Sequence, residues 1–412
     1  MNFLNEVVLD FPRAISFAPG RPAEQFCQVE EGMAEMPRFV AERARLTGWT
    51  EEAVLKDLGQ YNKTNGILQD IIRRQLEVDE GIRVPARSIV VTAGCQEAML
   101  LLLMALFEPE KDVLLSTDPT YIGITGLADI FGIRVEPISC GADGLEPEAF
   151  RVAVRRVRES GLRPVALYDV PDFNNPLGTS LPLAARHEVL AIARQEKLLV
   201  FEDNPYGMFA FDGEPLPTLK SLDTDGTVIY LGTFSKTLYP GLRVGYLVAD
   251  QPVQRGSGEA LLADELSKVK SLTTVTTSPL VQAMIGGLLL KHGGSLKPLV
   301  AEKIPFYRRN RDTLVACLEE ELGAIAGVSW NRPRGGFFLT LELPFDFDTA
   351  CLETCARDYG VICCPMTFFA RAGGAERQVR FSFSYVTPEQ IREGVARFAR
   401  FVRHRLELGE AP

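Results

Sequence analysis

The hydrophobic and polar residues between 87 and 248 follow two alternating patterns. Stretches with helical spacing, such as the one from Gln96 and the one at 182–196, lie between short apolar runs. The apolar runs predict strands at residues 88–92, 112–117, 134–138, 165–169, 198–202, 228–231 and 244–248. Strands that alternate with helices in this way are typical of a mostly parallel α/β sheet.

After Asp250 the pattern changes. Helical spacing dominates, with an interruption at Ser278-Pro279, and only two apolar runs have strand character. The pattern predicts helices at 261–290, at 299–322 and from Pro388, and strands around 335–343 and 379–383. We therefore predict a smaller α+β unit after the α/β sheet.

These patterns divide the chain into three parts. Residues 61–290 are predicted to form a large domain, and residues 291–412 a smaller C-terminal domain. Residues 1–60, of which the first fifty lack sheet alternation, are predicted to contribute to the smaller domain. The chain has 412 residues, of which 46% are hydrophobic, and this is enough for a sizeable core.

Charge and composition exclude several classes of protein. A net charge of −10 argues against nucleic acid as a partner, and 24% charged residues are typical of a globular protein. The longest apolar stretch, 98–107, falls short of the roughly 20 residues that span a bilayer. The first residues include Glu6 and Asp10 and lack the layout of a signal peptide. We therefore expect a cytoplasmic protein with no membrane or nucleic-acid partner.

The cysteines and histidines predict no metal site. The chain has eight cysteines but only three histidines. Cys351 and Cys355 are four residues apart, and Cys363 and Cys364 are adjacent, so neither pair has the C-x-x-C spacing of a zinc site. We expect these residues to be reduced structural thiols, as in other cytoplasmic proteins.

Candidate chemistry begins in the stretch 230–246. An apolar strand there leads into a turn rich in Gly, Ser and Thr that carries Lys236. A lysine in such a turn can condense with an aldehyde if its surroundings favour the neutral amine, although many lysines in turns are simply exposed. The hydroxyls of Thr233 and Ser235 and the guanidinium of Arg243 would suit a phosphate dianion.

Two further polar segments follow predicted strands. The strand at 198–202 leads to Asp203, and a carboxylate beside a pyridine nitrogen keeps that ring protonated, so that the ring can accept electrons. Tyr206, and Asn175 in an Asn-Pro turn, could both hydrogen-bond the phenolic oxygen of the same ring. A strand-ending aspartate, a partly buried tyrosine and an ordinary turn are the alternative interpretation.

The turn Gly94-Cys95-Gln96 lies between the first predicted strand and its helix. Backbone amides at a helix N-terminus bind anions, and here they would suit a phosphate. Tyr121 follows the next strand and could stack on a flat heterocycle, although an aromatic residue at such a position is equally common in a core. Open α/β sheets bind ligands at the carboxyl ends of their strands, which is where these candidates lie.

In this order and spacing the segments resemble the class I and II aminotransferases of fold type I, which use pyridoxal 5′-phosphate (PLP). The resemblance covers nearly the whole chain, from Tyr61 through Arg380. It implies the α/β fold of the PLP-dependent transferases, with a large domain of mostly parallel mixed sheet flanked by helices and a smaller α+β domain. It also implies a homodimer with active sites at the interface.

The resemblance implies a role for each candidate residue around the cofactor. Lys236 would carry PLP as a Schiff base and act as general base. Asp203 would lie beside the pyridine nitrogen. Tyr206 and Asn175 would contact the phenolic oxygen, and Tyr121 would stack on the ring. The phosphate would be bound by Gly94, Cys95, Gln96, Thr233, Ser235 and Arg243, and by Tyr61 from the neighbouring subunit.

The same resemblance implies the residues that bind the substrate. Arg380 would bind the substrate α-carboxylate together with Asn175, and the N-terminal loop around Gly20 would close over the substrate. The chain is also similar to 2-aminoadipate aminotransferases. A narrower resemblance, to the aminotransferases that make hydroxyphenylglycine-type residues for nonribosomal peptides, rests on the segments 3–7, 14–22 and 261–270.

Three functions are compatible with these motifs. The first, which we expect, is transfer of an amino group between an amino acid and a 2-oxo acid in specialised amino-acid biosynthesis. The second is elimination, replacement or ring closure at Cβ or Cγ, as in aminocyclopropane-carboxylate synthase acting on S-adenosylmethionine, because its first steps are identical. The third is a PLP-sensing transcription regulator, whose N-terminal winged-helix domain has no counterpart before Tyr61.

Overall fold

The computed structural model describes residues 9–255 and 258–409, so the segment 3–7, which includes Glu6, lies outside the described residues. The strands are Ile15–Ser16 (β1), Ile89–Thr92 (β2), Asp112–Asp118 (β3), Arg134–Gly141 (β4), Gly144–Leu145 (β5), Arg163–Asp169 (β6), Leu199–Asp203 (β7), Val228–Thr233 (β8), Gly245–Val248 (β9), Pro252–Arg255 (β10), Gly258–Leu261 (β11), Ser329–Trp330 (β12), Phe338–Glu342 (β13), Val361–Ile362 (β14), Cys364–Pro365 (β15) and Gln378–Ser382 (β16). The α-helices are Val29–Thr47 (α1), Glu51–Leu58 (α2), Gln69–Glu80 (α3), Cys95–Leu106 (α4), Ile122–Phe131 (α5), Pro147–Glu159 (α6), Leu183–Glu196 (α7), Leu219–Leu222 (α8), Leu262–Thr273 (α9), Pro279–Lys291 (α10), Lys297–Val300 (α11), Lys303–Leu322 (α12), Thr349–Tyr359 (α13) and Pro388–Glu407 (α14).

The larger sheet has eight strands in the order β2-β9-β8-β7-β6-β3-β4-β5. The five strands from β8 to β4 pair in parallel, while β9 runs antiparallel to both of its neighbours and β5 runs antiparallel to β4. Helices separate most of the parallel strands along the chain. This arrangement confirms the predicted α/β fold with a mostly parallel mixed sheet.

Buried side chains alternate between the two faces of this sheet. Ile229 and Leu231 of β8 lie in a core that includes Leu102 of α4. Tyr230, between them, lies in a second core with Ile72 of α3. Because successive residues of a strand point to opposite faces, one strand contributes to both cores, and the sheet is covered by helices on both sides.

The carboxyl ends of the parallel strands lie along one edge of the sheet. Strand β6 ends at Asp169, β7 at Asp203 and β8 at Thr233, and the register pairs Asp203 with Leu231. Polar side chains can end these strands because the edge borders a cavity. The strand order therefore brings segments that are far apart in sequence to the same place.

The smaller sheet carries Arg380 in its middle. Its four strands are antiparallel in the order β12-β13-β16-β15. On β16, Arg380 pairs with Thr340 of β13 on one side and with Cys364 of β15 on the other. Pairing on both sides fixes the backbone from which the arginine side chain reaches the cavity.

The N-terminal segment contacts both the C-terminal part of the chain and the helix α10. Strand β1 pairs in parallel with β14, and the amide of Ser382 donates to the carbonyl of Phe17 over 2.7 Å. Helix α1, in contrast, packs against α10, and its Phe39 lies in the same core as Ile72. The division at 1–60, 61–290 and 291–412 stays a prediction.

Two predicted helices are interrupted. The helical stretch 261–290 forms α9 and α10, because a turn with Val275 at φ 64° separates them before Ser278 caps α10. The stretch 299–322 is helical mainly from Lys303, and Pro305 lies in the first turn, where its missing N–H costs no hydrogen bond. The hairpin of β10 and β11 was not predicted.

No helix in the described part of the chain is both long and apolar enough to cross a membrane. Within residues 9–255 and 258–409, histidine, cysteine, aspartate and glutamate side chains form no group placed to bind a metal ion. All eight cysteines are free thiols.

A fully buried arginine anchors the loop that leads to Asn175. Arg186, on α7, has no exposed surface and makes an ion pair with Asp172. The Arg186 guanidinium also donates to the carbonyls of Leu181, Pro217 and Pro171. Five donors of one guanidinium thereby fix the loop from both of its ends.

Replacing Arg186 by methionine would leave the buried Asp172 carboxylate without its partner. We expect Arg186→Met to lower the free energy of unfolding by about 3–5 kcal/mol, because breaking a buried ion pair leaves an uncompensated charge. Urea denaturation measures this change. The control is Lys56→Met, which removes an exposed ion pair with Glu52 and should leave stability almost unchanged. Equal effects of the two substitutions would contradict the anchoring role.

Candidate active site

A cavity of about 410 Å³ lies at the carboxyl edge of the larger sheet. It is open on one side and reaches from the first turn of α4 to β16 of the smaller sheet. Every predicted site residue except Gly94 and Tyr61 lines it, namely Gly20, Cys95, Gln96, Tyr121, Asn175, Asp203, Tyr206, Thr233, Ser235, Lys236, Arg243 and Arg380. The structure thus brings together segments from both ends of the chain.

Lys236 reaches into this cavity from the turn after β8. Its Nζ donates to the carbonyl of Gly20 over 2.8 Å and lies 6.0 Å from the centre of the Tyr206 ring. Burial, and after it the positive charge of Arg243, lowers the pKa of Lys236 to about 8 from an ordinary value of 10.5. A lowered pKa increases the neutral fraction of the amine, which is the form that attacks an aldehyde.

Asp203 lines the cavity, and one of its two carboxylate oxygens has no hydrogen-bond partner among the residues described. Its Oδ2 accepts a hydrogen bond of 2.8 Å from the hydroxyl of Tyr168. Its Oδ1 is buried and has no hydrogen-bond partner in the described structure. Burial raises the pKa of Asp203 to about 6, and the hydrogen bond from Tyr168 opposes this rise. An unpartnered buried oxygen of this kind fits a protonated ring nitrogen.

The opposite end of the cavity suits a phosphate. Helix α4 begins at Cys95, and the first amides of a helix have no intrahelical partner. Gly94 has φ 79°, and a Cβ there would lie 2.6 Å from Nη2 of Arg243, so the close approach of the guanidinium requires glycine. Thr233 and Ser235 line the same end, where the Ser235 amide donates to Oγ1 of Thr233 over 3.1 Å.

Tyrosine and amide side chains form the walls between these two ends. The Tyr121 hydroxyl donates to Oε1 of Gln96 over 3.4 Å, and Gln96 in turn donates to the carbonyl of Gly123. Burial raises the pKa of Tyr121 to about 12, and it also raises the pKa of Tyr206 well above its ordinary value. Both phenols are therefore protonated at neutral pH, and the hydroxyl of Tyr206 is available as a donor.

Arg380 is fixed from four directions. Its Nη1 donates to Oδ1 of Asn175 and its Nη2 to the carbonyl of Ala18, each over 2.6 Å. The guanidinium carbon lies 4.4 Å from the ring centre of Phe338 and 4.7 Å from that of Phe369. Burial lowers the pKa of Arg380, and its Nε has no partner among the residues described. A buried guanidinium without a protein carboxylate suits a carboxylate ligand.

The N-terminal loop lies directly against this arginine site. A Cβ on Gly20 would overlap the ring of Phe338, so glycine is required where the loop crosses the aromatic side chain. The ring of Phe338 also meets that of Tyr206 edge to face, with centres 5.6 Å apart. Phe338 therefore contacts the loop, the arginine and the tyrosine together.

Sequence reasoning missed three of these residues. Tyr168 holds Asp203 from the neighbouring strand β6, and the period of two along 163–169 could have indicated that it points to the same face as the end of β7. Phe338 and Phe369 follow no polar motif. They resemble ordinary core residues in the sequence, and only the fold shows that they enclose Arg380.

Tyr61 lies apart from the cavity of its own chain. Its side chain is 83% exposed and is absent from the cavity lining. The role given to Tyr61 needs a second subunit, so it stays a prediction.

Taken together, the side chains fit PLP at each of its polar groups. Lys236 would meet the aldehyde, and Oδ1 of Asp203 would meet the pyridine nitrogen. The turn at Gly94, together with Arg243, would bind the phosphate. Tyr206 and Asn175 line the wall between them, and Arg380 lies beside it, within hydrogen-bond distance of Asn175.

Comparison with known proteins leads to the same family. The sequence profile described as aminotransferase class I and II matches residues 74–398. An (S)-3,5-dihydroxyphenylglycine transaminase from Amycolatopsis orientalis is 45% identical over 411 residues, which cover 100% of this chain and 93% of the relative. A 2-aminoadipate transaminase from Thermus thermophilus is 31% identical over 400 residues, which cover 96% of this chain and 92% of the relative.

A solved structure shows the same fold over the whole length. The multiple substrate aminotransferase from Thermococcus profundus superposes with a TM-score of 0.85 at 28% identity, covering 99% of this chain and 95% of the other. The predicted resemblance is therefore confirmed. The chain belongs to the class I and II aminotransferases, enzymes that use pyridoxal 5′-phosphate to transfer an amino group between an amino acid and a 2-oxo acid.

Proposed function

We propose that this enzyme transaminates amino acids with an uncharged aromatic side chain, of the hydroxylated phenylglycine type, in a specialised biosynthetic pathway. The observation that carries the proposal is the distribution of positive charge in the cavity. Among the described residues that line it, the lysine and arginine side chains are Lys236, Arg243 and Arg380. In the proposed roles, Lys236 and Arg243 bind the cofactor, and Arg380 binds the substrate α-carboxylate.

Among the described residues, those that line the cavity beside Arg380 are uncharged. Phe338 and Phe369 flank the guanidinium and Asn175 bonds it, while Gly20 and Ile122 line the same cavity. A carboxylate on the substrate side chain would therefore be desolvated without a cationic partner from the described lining, whereas a flat ring would be buried among apolar groups. The relative that is 45% identical is named for dihydroxyphenylglycine, whose aromatic side chain fits this environment.

The residues of the site divide the work of catalysis. PLP, when bound, supplies an aldehyde that condenses with amines and a pyridine ring that accepts an electron pair. The Lys236 amine would take the proton from the substrate α-carbon and then deliver a proton to the carbon that carried the aldehyde oxygen of the cofactor. Oδ1 of Asp203 would keep a proton on the ring nitrogen, while the hydroxyl of Tyr206 would donate a hydrogen bond to the phenolic oxygen. Arg380 orients the substrate through its carboxylate.

We propose a homodimer in which Tyr61 reaches the phosphate of the neighbouring subunit. Tyr61 is exposed, and beside it Oγ1 of Thr276 donates to the carbonyl of Lys63 over 3.4 Å. The segment around Thr276 exposes the apolar side chains Leu272 and Val275. An exposed apolar patch next to a tyrosine without an intramolecular role supports an interface there.

Two further statements are proposals of the same kind. We place the domain boundaries near 60 and 290, because the two sheets draw their strands from residues 89–248 and 329–382. We place the enzyme in the cytoplasm, where eight unpaired thiols remain reduced.

Substrate preference tests the proposed function. Hydroxylated phenylglycines and tyrosine, added separately to the PLP-loaded enzyme, should convert the cofactor to pyridoxamine phosphate. We expect kcat/KM for the best aromatic substrate to exceed that for aspartate or 2-aminoadipate by about 100-fold or more, because an unpaired buried carboxylate costs several kcal/mol. Absorbance follows the cofactor, and mass spectrometry identifies the 2-oxo acid.

The matched controls for this experiment are two lysine variants. Lys236→Ala should form no pyridoxamine phosphate, whereas Lys56→Ala, at an exposed position on α2, should behave as wild type. A preference for acidic amino acids would contradict the proposed substrate. Release of a thioether from S-adenosylmethionine, with the PLP spectrum restored, would instead support elimination or ring closure.

Mixed dimers test the role of Tyr61. We expect Tyr61→Phe to weaken PLP binding about 10-fold, because one hydrogen bond to a charged phosphate is lost. In a dimer of one Tyr61→Phe chain and one Lys236→Ala chain, the site with the intact lysine receives the tyrosine of its partner. That site should regain wild-type PLP affinity, measured by equilibrium dialysis. A monomer in sedimentation, or no regain of affinity, would refute the proposed contact.

The lowered pKa of Lys236 predicts a particular pH dependence. In the protein without PLP, the neutral amine reacts with formaldehyde, and the reaction should become half-maximal near pH 8, the value to which burial lowers this pKa. Reductive methylation at several pH values, followed by peptide mass spectrometry, measures the rate at each lysine. Lys56 is the exposed internal reference. If Lys236 followed Lys56 across the whole pH range, the lowered pKa would be wrong.

A further inference from the structure

A second buried lysine, far from Lys236 in the sequence, is brought by the fold to the turn that carries Lys236. Lys303, the first residue of α12, is 5% exposed, and its Nζ donates to the carbonyls of Thr237 and Leu238. Among the residues described, no carboxylate forms an ion pair with it. Two other buried lysines differ in this respect, since Lys220 pairs with Asp250 and Lys270 with Glu97.

A buried ammonium without a carboxylate is unfavourable unless its donors are satisfied. Burial accordingly lowers the pKa of Lys303 to about 8, and the negative charge of Glu31 only partly opposes this shift. The favourable contacts in its surroundings are the two carbonyl oxygens and the ring of Phe26, whose centre lies 5.9 Å from Nζ.

The two carbonyls belong to the residues that directly follow Lys236. Next to Lys236, the amide of Leu238 donates to the carbonyl of Phe234 over 2.9 Å, and the remaining backbone hydrogen bonds within the turn lie further along, from Leu242 and Arg243. The turn belongs to no strand, because β8 ends at Thr233 and β9 begins at Gly245. The ammonium of Lys303 therefore holds the two residues that directly follow Lys236 through their carbonyls.

The same helix also fixes the segment that contacts the far end of the Lys236 side chain. Tyr307, one turn after Lys303, accepts a hydrogen bond of 3.2 Å from the amide of Ala23. Phe26 packs edge to face against Phe306, with ring centres 5.3 Å apart. The segment leads back to Gly20, whose carbonyl accepts the hydrogen bond from Nζ of Lys236 over 2.8 Å.

We propose that Lys303 is a positioning residue for Lys236. By bonding the carbonyls of the two residues after Lys236, the Lys303 side chain aligns the Lys236 amine. Through α12, Lys303 also joins this turn to the N-terminal loop. The inference rests on the proposed role of Lys236 as the residue that moves the α-proton. Lys303 contacts neither the cavity nor Arg380. It therefore affects the direction of the Lys236 amine and leaves the binding of the substrate carboxylate unchanged.

The proposal predicts a separation of kcat from KM in Lys303→Met, a variant of similar length without donors. In single turnovers of the PLP-loaded enzyme, we expect the rate constant at saturating amino acid to fall about 10–100-fold, because a misplacement near 1 Å at the reacting group has effects of this size. The amino-acid concentration for half-maximal rate should stay close to wild type. The pH midpoint of the visible absorbance of the bound cofactor should also move, which reports on the Lys236 environment without turnover.

Two conservative variants keep the test decisive if Lys303→Met folds poorly. Lys303→Arg keeps several donors, and Lys303→Gln keeps an amide that can bond one carbonyl. Both should recover part of the lost rate, with Arg recovering more. The matched control is Lys220→Met, which removes a buried lysine that bonds the carbonyl of Val228 at the opposite end of β8. This control should lower Tm while leaving the single-turnover rate and the pH midpoint at wild-type values.

The outcomes separate the inference from the proposed function. If the variants at position 303 lower Tm but keep the wild-type rate and pH midpoint, Lys303 is only structural and the inference is overturned. An increase of the half-saturating amino-acid concentration with an unchanged rate would overturn it as well. A failure of the proposed function appears in the wild-type protein, as the absence of a borohydride-trapped PLP adduct at Lys236, and the inference would then fall with it.

Discussion

The geometry of the cavity depends on the hydrogen bond from the Tyr168 hydroxyl to one carboxylate oxygen of Asp203. Tyr168 and Asp203 lie on neighbouring parallel strands, and both are buried. Burial favours the neutral acid, whereas the hydrogen bond favours the carboxylate. The bond is made to Oδ2, while Oδ1 is buried without a hydrogen-bond partner among the described residues. A ligand with a cationic N–H at that point satisfies the free oxygen and completes the balance of charge.

The cationic groups of the cavity outnumber its acidic residue, Asp203. Lys236, Arg243 and Arg380 all line the cavity, and the ion pairs among the described residues include none of the three. A folded protein accepts such a concentration of positive charge when a polyanionic ligand is its usual partner. A phosphate and an α-carboxylate are anions of this kind, and they would occupy opposite ends of the same space.

Much of the site could be predicted from the sequence because its chemistry follows strand ends. Lys236, Asp203 and Asn175 stand in turns after apolar runs, where the residue type itself indicates the chemistry. Tyr168 could have been found from strand alternation. Lys303 could not, because its partner carbonyls are 65 and 66 residues away and a lysine at the start of a helix looks like a surface residue.

The same distinction applies to the fold. The parallel strands were predictable because each is an apolar run long enough to be recognised. The two-residue strands β1 and β14 were not, since their pairing depends on tertiary contacts rather than on local pattern. The interruption between α9 and α10 was indicated by Ser278-Pro279, but the left-handed Val275 that makes the turn has no signal in the sequence.

The position of Arg380 has a consequence for how the enzyme is made. The carbonyl of Ala18 and the Nη2 of Arg380 meet over 2.6 Å, although 362 residues separate them. During translation, Asp203 and the turn that carries Lys236 leave the ribosome while strand β16 is still inside it. The anion sites of the larger sheet can thus form during synthesis, whereas the substrate end of the cavity is completed only after translation has passed the last strand.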